Sequence, residues 1–120
     1  CLSRGLGDVY KRQAWDGAAL IIAYAPCIAH GIDMRDVQEI EKKAVQCGYF
    51  PLYRYHPANG LMLDSKAPDG DFQAFLMRQG RFAALRRSDP AKSETLCKMA
   101  EEAARRRWNL LKMLKNREMT

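Results

Sequence analysis

A continuous apolar run near the start of the chain is the clearest element in its pattern. The run Ala18–Ala25 holds eight consecutive apolar residues, which is typical of a strand buried on both faces of a parallel sheet. Pro26 ends the strand, because proline cannot donate to a central ladder. Cys27–Ile32 is then predicted to form a loop just beyond the strand's C-terminal end, where Gly31 permits a turn.

An amphipathic helix follows this loop. Asp33 is a suitable N-cap, and Gly48 is a suitable residue at which the helix stops. Between them, four apolar residues fall on one face at helical spacing: Val37, Ile40, Ala44 and Val45. The pattern predicts a helix packed against a sheet.

The aromatic stretch Tyr49–Tyr55 predicts a second strand, although Pro51 disrupts central pairing. Strand, helix and strand together favour a right-handed parallel βαβ unit. After a turn at His56–Gly60, Leu61–Leu63 is predicted to be a short strand. Two strands leave open sheet edges, so we expect more of this sheet to lie upstream of the chain.

Two further helices complete the pattern. Asp71 can cap the first, whose stripe comprises Phe72, Phe75, Leu76 and Phe82, and Gly80 weakens its middle. Asp89 followed by Pro90 marks the start of the second, which is predicted to run to about residue 115. Its predicted inner face consists of Leu96, Ala100, Ala103, Leu110, Leu111 and Leu114. The fold class predicted is α/β, a parallel-sheet domain that finishes in a long helix.

The first thirteen residues are predicted not to belong to the natural protein. The stretch Asp8–Gln13 resembles the translation of a transposase adapter used in sequencing-library preparation, and such segments are excluded from fold reasoning. The formal net charge is +6. Residues 1–13 contain three basic residues and one acidic residue, so the rest of the chain carries +4. Residues 14–120 are treated as one domain portion, and the chain as a fragment.

Composition limits the classes of function. No apolar run approaches the roughly 18 residues of a membrane helix, and no apolar run that would mark a signal peptide follows the basic N-terminal residues. The four cysteines, Cys1, Cys27, Cys47 and Cys97, form neither a disulfide framework nor a zinc-site spacing. Reduced thiols in the cytoplasm are therefore expected, and this chain can supply only part of any metal centre.

Three stretches carry a resemblance to a known family. They are Ile21–Ile32, which contains Tyr-Ala-Pro-Cys-Ile-Ala-His-Gly, then Ala44–Pro57, and finally Leu63–Pro68 followed by Arg81–Leu85. In this order they resemble the end of the pyruvate:ferredoxin (flavodoxin) oxidoreductases. The resemblance implies the C-terminal part of the thiamine pyrophosphate-binding domain.

The resemblance also implies a function for the parent enzyme. Such enzymes, which belong to anaerobic metabolism, decarboxylate pyruvate oxidatively to acetyl-CoA and carbon dioxide. Electrons pass through four-iron four-sulfur clusters to ferredoxin or flavodoxin. The cofactors implied are thiamine pyrophosphate, magnesium, coenzyme A and the clusters, and a homodimer is implied. The family's thiamine motif is absent from this sequence.

By the same resemblance, Cys27 is the fourth thiolate ligand of the cluster nearest the thiamine. Its place beyond a strand's C-terminal end agrees, because ligand sites of parallel sheets lie there. No catalytic residue is predicted, and the fragment alone is expected to be inactive. Without the resemblance, Cys27 would be interpreted as a buried structural thiol, which is also how Cys47 and Cys97 are interpreted.

Other features have two interpretations each. His30 is either an acid or base near the thiamine or a residue that hydrogen-bonds the loop, and His56 is interpreted as structural. The aromatic strand and the basic residues from Arg105 to Arg117 could serve nucleic-acid binding, or the basic residues could dock an acidic ferredoxin. A packed strand and a solvated helix face are preferred, with no nucleic-acid or membrane partner.

Two rival functions stay open. One is another 2-oxoacid:ferredoxin oxidoreductase, acting on indolepyruvate or 2-oxoglutarate. The other is a small basic module that binds nucleic acid or protein through its terminal helix. In the preferred interpretation the partners are the upstream domains of the same enzyme.

Overall fold

A computed structural model describes residues 15–117 of the chain. The predicted adapter-derived segment, residues 1–13, lies outside the described residues. The described part contains two single-turn 3-10 helices, Ile28–His30 and Met34–Asp36, and the following longer elements: α1 (Val37–Gln46), β1 (Tyr53–His56), β2 (Gly60–Leu63), α2 (Phe72–Met77), α3 (Gly80–Ser88) and α4 (Pro90–Arg117). None of the helices described is long and apolar enough to cross a membrane.

The apolar run at Ala18–Ala25 is not a strand in the structure, so that prediction is wrong. The run has no regular secondary structure, and Leu20 and Ile22 are 84% and 67% exposed. A strand is stable only when a neighbour satisfies its backbone groups and covers its side chains. Residues 15–117 offer this run no such neighbour.

The sheet within the described residues is an antiparallel hairpin rather than a parallel βαβ unit. β1 pairs with β2 so that Tyr53 faces Leu63 and His56 faces Gly60. The intervening turn is closed by the Asn59 N–H donating to the His56 carbonyl at 3.0 Å, and Gly60 takes the positive φ of 74° that suits glycine. Two strands separated by a three-residue turn pair antiparallel, because a parallel pair needs a longer crossover. The predicted short strand at Leu61–Leu63 is confirmed.

Helix starts follow the predicted caps. Asp33 Oδ1 accepts the Arg35 N–H at 2.9 Å, which caps the 3-10 turn that leads into α1. Asp71 Oδ1 accepts the Ala74 N–H at 2.9 Å, and Asp89 Oδ1 accepts the Lys92 N–H at 3.0 Å. These bonds satisfy first-turn donors that have no partner within the helix.

The helix predicted to follow Asp71 is in fact two helices. Gln79 is extended, with φ −95° and ψ 125°, so α2 ends and α3 begins at Gly80. Glycine has low helix propensity, and here the break also brings Gly80 against Gly31. The sequence indicated the weak point, and the structure places the break at the extended Gln79, just before Gly80.

The core lies between α1, α2 and one face of α4. Its buried members are Ile40, Ala44, Cys47, Phe72, Phe75, Leu76, Cys97 and Ala104. The predicted inner face of α4 is wrong except at Leu111, since Leu96, Leu110 and Leu114 are exposed. The buried face is instead Ser93, Cys97, Ala104, Trp108 and Leu111. The helix has two apolar stripes, and the elements that pack against it decide which of the two is buried.

Candidate functional site

Cys27 occupies the N-cap position of the 3-10 turn Ile28–His30 and is exposed. Its Sγ accepts the Ala29 N–H at 3.4 Å. The His30 N–H donates to the Cys27 carbonyl and the Gly31 N–H to the Ile28 carbonyl, each at 2.9 Å. The thiol therefore projects from a tight, internally bonded turn, which rules out the buried structural interpretation of Cys27 in this structure.

The chain before Cys27 is anchored by one aromatic side chain. The Tyr24 ring lies 5.8 Å from the Tyr49 ring and 5.5 Å from the Phe50 ring, and Pro26 is buried. Burial raises the pKa of Tyr24 above its usual value of 10.0, with a further contribution from Tyr49. Its hydroxyl is buried and finds no hydrogen-bond partner among residues 15–117. The packing of Tyr24 on Tyr49 and Phe50 therefore holds the residues just before Cys27 against the core.

On the other side of Cys27 the chain is fastened at Gly31. This residue takes a left-handed conformation, φ 75° and ψ 45°, and its carbonyl accepts the Gly80 N–H at 2.9 Å. The segment from Tyr24 to Gly31 is thus held at both ends, and Cys27 lies between the attachments. We call residues 27–31 the Cys27 loop.

His30 belongs to the Cys27 loop and is partly buried. Its Nδ1 is buried and has no hydrogen-bond partner in the part of the chain that the structure describes. The prediction that His30 hydrogen-bonds the loop through its ring is therefore not met at this nitrogen. A role for His30 as an acid or base stays a prediction.

The other two described cysteines are placed differently from Cys27. Cys47 and Cys97 are buried in the core of α1 and α4. Burial raises the pKa of the Cys47 thiol above its usual value of 9.0, and Cys97 Sγ lies 3.9 Å from Ser93 Oγ. Both positions suit structural thiols. Within residues 15–117, no three histidine, cysteine, aspartate or glutamate side chains gather closely enough to hold a metal ion.

The aromatic stretch is divided between core and surface. Tyr49 packs against Phe75 with ring centroids 5.0 Å apart, whereas Tyr53 and Tyr55 are exposed on β1. Arg54 binds the Asp64 carboxylate through two hydrogen bonds of 2.7 Å each. The start of the aromatic stretch, at Tyr49, therefore packs in the core as predicted, whereas its end on β1 does not.

Several basic residues of α4 are paired with acidic residues or with the backbone. Arg105 lies 3.7 Å from Glu101, and Arg106 lies 3.9 Å from Glu102, each pair spanning one helical turn. Arg107 is different, since its Nη2 donates to the Tyr49 carbonyl at 2.8 Å and joins α4 to the aromatic stretch. This arrangement agrees with a solvated, ion-paired helix face.

An open groove of about 410 Å³ lies beside Arg107. Its walls are the aromatic residues Tyr49, Phe50 and Phe72 and the alanine face of α4. It holds no carboxylate, histidine or thiol, so the Cys27 loop is the stronger candidate for chemistry.

No protein-family model matches the chain. It is 45% identical over 110 residues to the pyruvate:ferredoxin oxidoreductase of Moorella thermoacetica, which covers 87% of this chain and 9% of that protein. It is 40% identical over 121 residues to the pyruvate-flavodoxin oxidoreductase of Klebsiella pneumoniae, which covers 94% of this chain and 10% of that protein.

The chain is homologous to the pyruvate:ferredoxin and pyruvate-flavodoxin oxidoreductases. The family resemblance predicted from the three motif stretches is thereby confirmed. A further relative is the mitochondrial pyruvate dehydrogenase [NADP(+)] of Euglena gracilis, 40% identical over 95 residues, which covers 72% of this chain and 5% of that protein. The chain spans about one tenth of the length of the first two relatives.

Several residues that shape the site were not singled out for it by sequence reasoning. Tyr24 was only a member of the apolar run, Arg107 one of several basic residues, and Gly80 a weak point in a helix. Gly80 did carry a usable signal, because an isolated glycine within a helical pattern often marks a close packing contact.

Proposed function

We propose that this chain is part of an enzyme that oxidatively decarboxylates pyruvate to acetyl-CoA and carbon dioxide, with electrons leaving to ferredoxin or flavodoxin. The observation that carries the proposal is the homology over about nine tenths of the chain to proteins bearing these names. Pyruvate is the 2-oxoacid in all of the names given above, so it is preferred to indolepyruvate and 2-oxoglutarate.

Within that enzyme we assign the chain to the end of the thiamine pyrophosphate-binding domain. Thiamine pyrophosphate, magnesium and coenzyme A are bound by other parts of the polypeptide in this proposal. The exposed apolar run Ala18–Ala25 supports it, because such a run is suited to becoming a sheet strand once neighbouring strands are supplied. The upstream domains of the same enzyme are therefore the first partners, and the enzyme is a homodimer.

Cys27 is the proposed ligand to a four-iron four-sulfur cluster, with three further thiolates supplied from elsewhere in the enzyme. Clusters of this kind are held by cysteine thiolates, and hydrogen bonds to sulfur help to set their potential. The Cys27 loop fits these needs: its thiol is exposed, and the Ala29 N–H already points at Sγ. When bound, the cluster would carry electrons away from the substrate. The loop's own task is to hold one sulfur in place.

The relatives named above differ in the electron acceptor that their names carry: ferredoxin, flavodoxin and NADP(+). A segment shared by all three is suited to a common step rather than to choosing the acceptor. A cytoplasmic location is part of the proposal and is supported by the free thiols Cys27, Cys47 and Cys97.

The rival small basic binding module is disfavoured by the pairing on α4. Arg105 and Arg106 face glutamates, and Arg107 donates to a backbone carbonyl. A nucleic-acid surface instead presents its basic groups to phosphates.

The decisive experiment replaces Cys27 with serine in the complete enzyme that carries this segment. We expect Cys27→Ser to remove or alter one set of cluster signals in electron paramagnetic resonance of the reduced enzyme, with thiamine binding less affected. Cys97→Ser is the matched control, because Cys97 is buried beside a hydroxyl and should keep all signals. Unchanged cluster signals in Cys27→Ser would refute the ligand role.

A further inference from the structure

The Cys27 loop meets the start of α3 through two glycines. The Gly80 N–H donates to the Gly31 carbonyl at 2.9 Å. Gly31 also ends the 3-10 turn, since its own N–H donates to the Ile28 carbonyl. The bond from Gly80 therefore acts on the last residue of the turn that carries Cys27.

The two glycines approach too closely for a side chain on Gly31 and leave little room for one on Gly80. A Cβ on Gly31 would lie 2.6 Å from Gly80 Cα and 2.8 Å from Gly80 N. A Cβ on Gly80 would lie 3.0 Å from Gly31 Cα and 3.1 Å from the Gly31 carbonyl oxygen. All of these are backbone atoms, which cannot rotate away as a side chain can. A methyl group on Gly31 must therefore push the loop and α3 apart, whereas one on Gly80 requires the loop backbone to yield by a few tenths of an ångström.

Gly80 itself is attached to the core. The preceding residue, Gln79, is 1% exposed, as is Leu76. The Gln79 N–H donates to the Leu76 carbonyl at 3.1 Å, and Gln79 Oε1 accepts the Arg81 Nε–H at 3.1 Å. The position of Gly80 is thus set by the buried end of α2, and the loop is set by Gly80.

We propose that Gly80 is a positioning residue for Cys27: its N–H and its lack of a side chain clamp Gly31, and the clamp fixes the direction in which the Cys27 thiol projects. The importance of this clamp for electron transfer rests on the proposed ligand role of Cys27. The existence of the clamp does not depend on that ligand role, because the clamp is a contact between two residues of this chain.

The clamp can be tested by substitutions at Gly80 that weaken the contact with Gly31 without weakening helix α3. Gly80 is the first residue of α3, where alanine is a better helix former than glycine and proline is well tolerated. The extended Gln79 also suits a following proline. Gly80→Ala adds the obstructing methyl group, and Gly80→Pro additionally removes the N–H donor. Any loosening of the loop then reports on the clamp rather than on helix propensity.

The first measurement is amide hydrogen exchange of the 120-residue chain by nuclear magnetic resonance. We expect both variants to accelerate exchange at Ala29, His30 and Gly31 by a factor of about ten, the equivalent of one hydrogen bond. Amides of Ile40 and Ala44 in α1 should keep their protection. Gly17→Ala is the control, since its new methyl group meets the Trp15 side chain.

Two outcomes would overturn the proposal. One is unchanged exchange in the Cys27 loop of both variants. The other is a loss of protection throughout α1 and α2, because the contact would then support the whole fold rather than one loop.

The second measurement separates the clamp from the ligand role in the complete enzyme. We expect Gly80→Ala to keep the iron content but shift the midpoint potential and the paramagnetic resonance signal of the cluster that Cys27→Ser disrupts. If Cys27→Ser leaves every cluster intact, the ligand role fails, and the exchange result still decides the clamp. If Cys27→Ser removes the signal while Gly80→Ala leaves it unchanged, the positioning role is wrong.

Discussion

Leu76 allows the attachment of the Cys27 loop to the core to be tested through stability. Its side chain is 1% exposed, and it precedes the Gln79–Gly80 segment that holds the loop. Leu76→Ala removes three carbon groups, which costs roughly 2.4 kcal/mol at about 0.8 kcal/mol each. A partly unfilled cavity adds about 1 kcal/mol. We therefore expect a loss of about 3 kcal/mol, a large part of the ~5–15 kcal/mol typical of a domain.

Urea unfolding followed by circular dichroism measures this loss. With a slope of roughly 2 kcal/mol per molar urea, the midpoint should fall by about 1.5 M. Leu110→Ala is the matched control, because the same change at a residue that is 54% exposed should stay within about 0.5 kcal/mol. A loss below about 1 kcal/mol for Leu76→Ala, or equal losses for the two variants, would refute the assignment of Leu76 to the core.

Two further predictions concern thiol access and acid stability. Alkylation of the native chain, followed by mass spectrometry, should label the exposed Cys27 well before the buried Cys47 and Cys97, and simultaneous labelling of all three would contradict the fold. For Glu39, hydrogen bonds from Lys43 and then Arg78 lower the pKa from 4.5 to about 2. Its contribution to stability is therefore complete above about pH 4.5 and is lost as the pH falls through about 2. Glu39→Gln should flatten the dependence of stability on pH in that window, and identical slopes for both chains would count against the ion pairs.

Local signals in the sequence predicted the helices well, because their causes are local. A cap, a glycine stop and a helical stripe act within a few residues. Asp33 caps the 3-10 turn that leads into α1, and α1 ends just before Gly48. Likewise Asp89 and Pro90 set the start of α4. The motif around Cys27 indicated the family, since a motif depends on residue identity and not on packing.

The sheet could not be predicted in the same way. An apolar run becomes a strand only if another strand pairs with it, and Ala18–Ala25 has no such neighbour among the described residues. The amino-acid composition of the run is the same whether or not a partner strand is present. Pairing is a property of two segments, so one segment's pattern cannot determine it.

By itself, the sequence determined where α1, α2 and α4 begin, the family resemblance and the candidate cysteine. The tertiary structure alone decided that α4 buries the Cys97 stripe rather than the Leu110 stripe, since both have helical periodicity. It also decided that Gly80 touches Gly31, across a separation of almost fifty residues. Contacts between distant segments depend on how whole elements pack, and that information resides in the assembled fold.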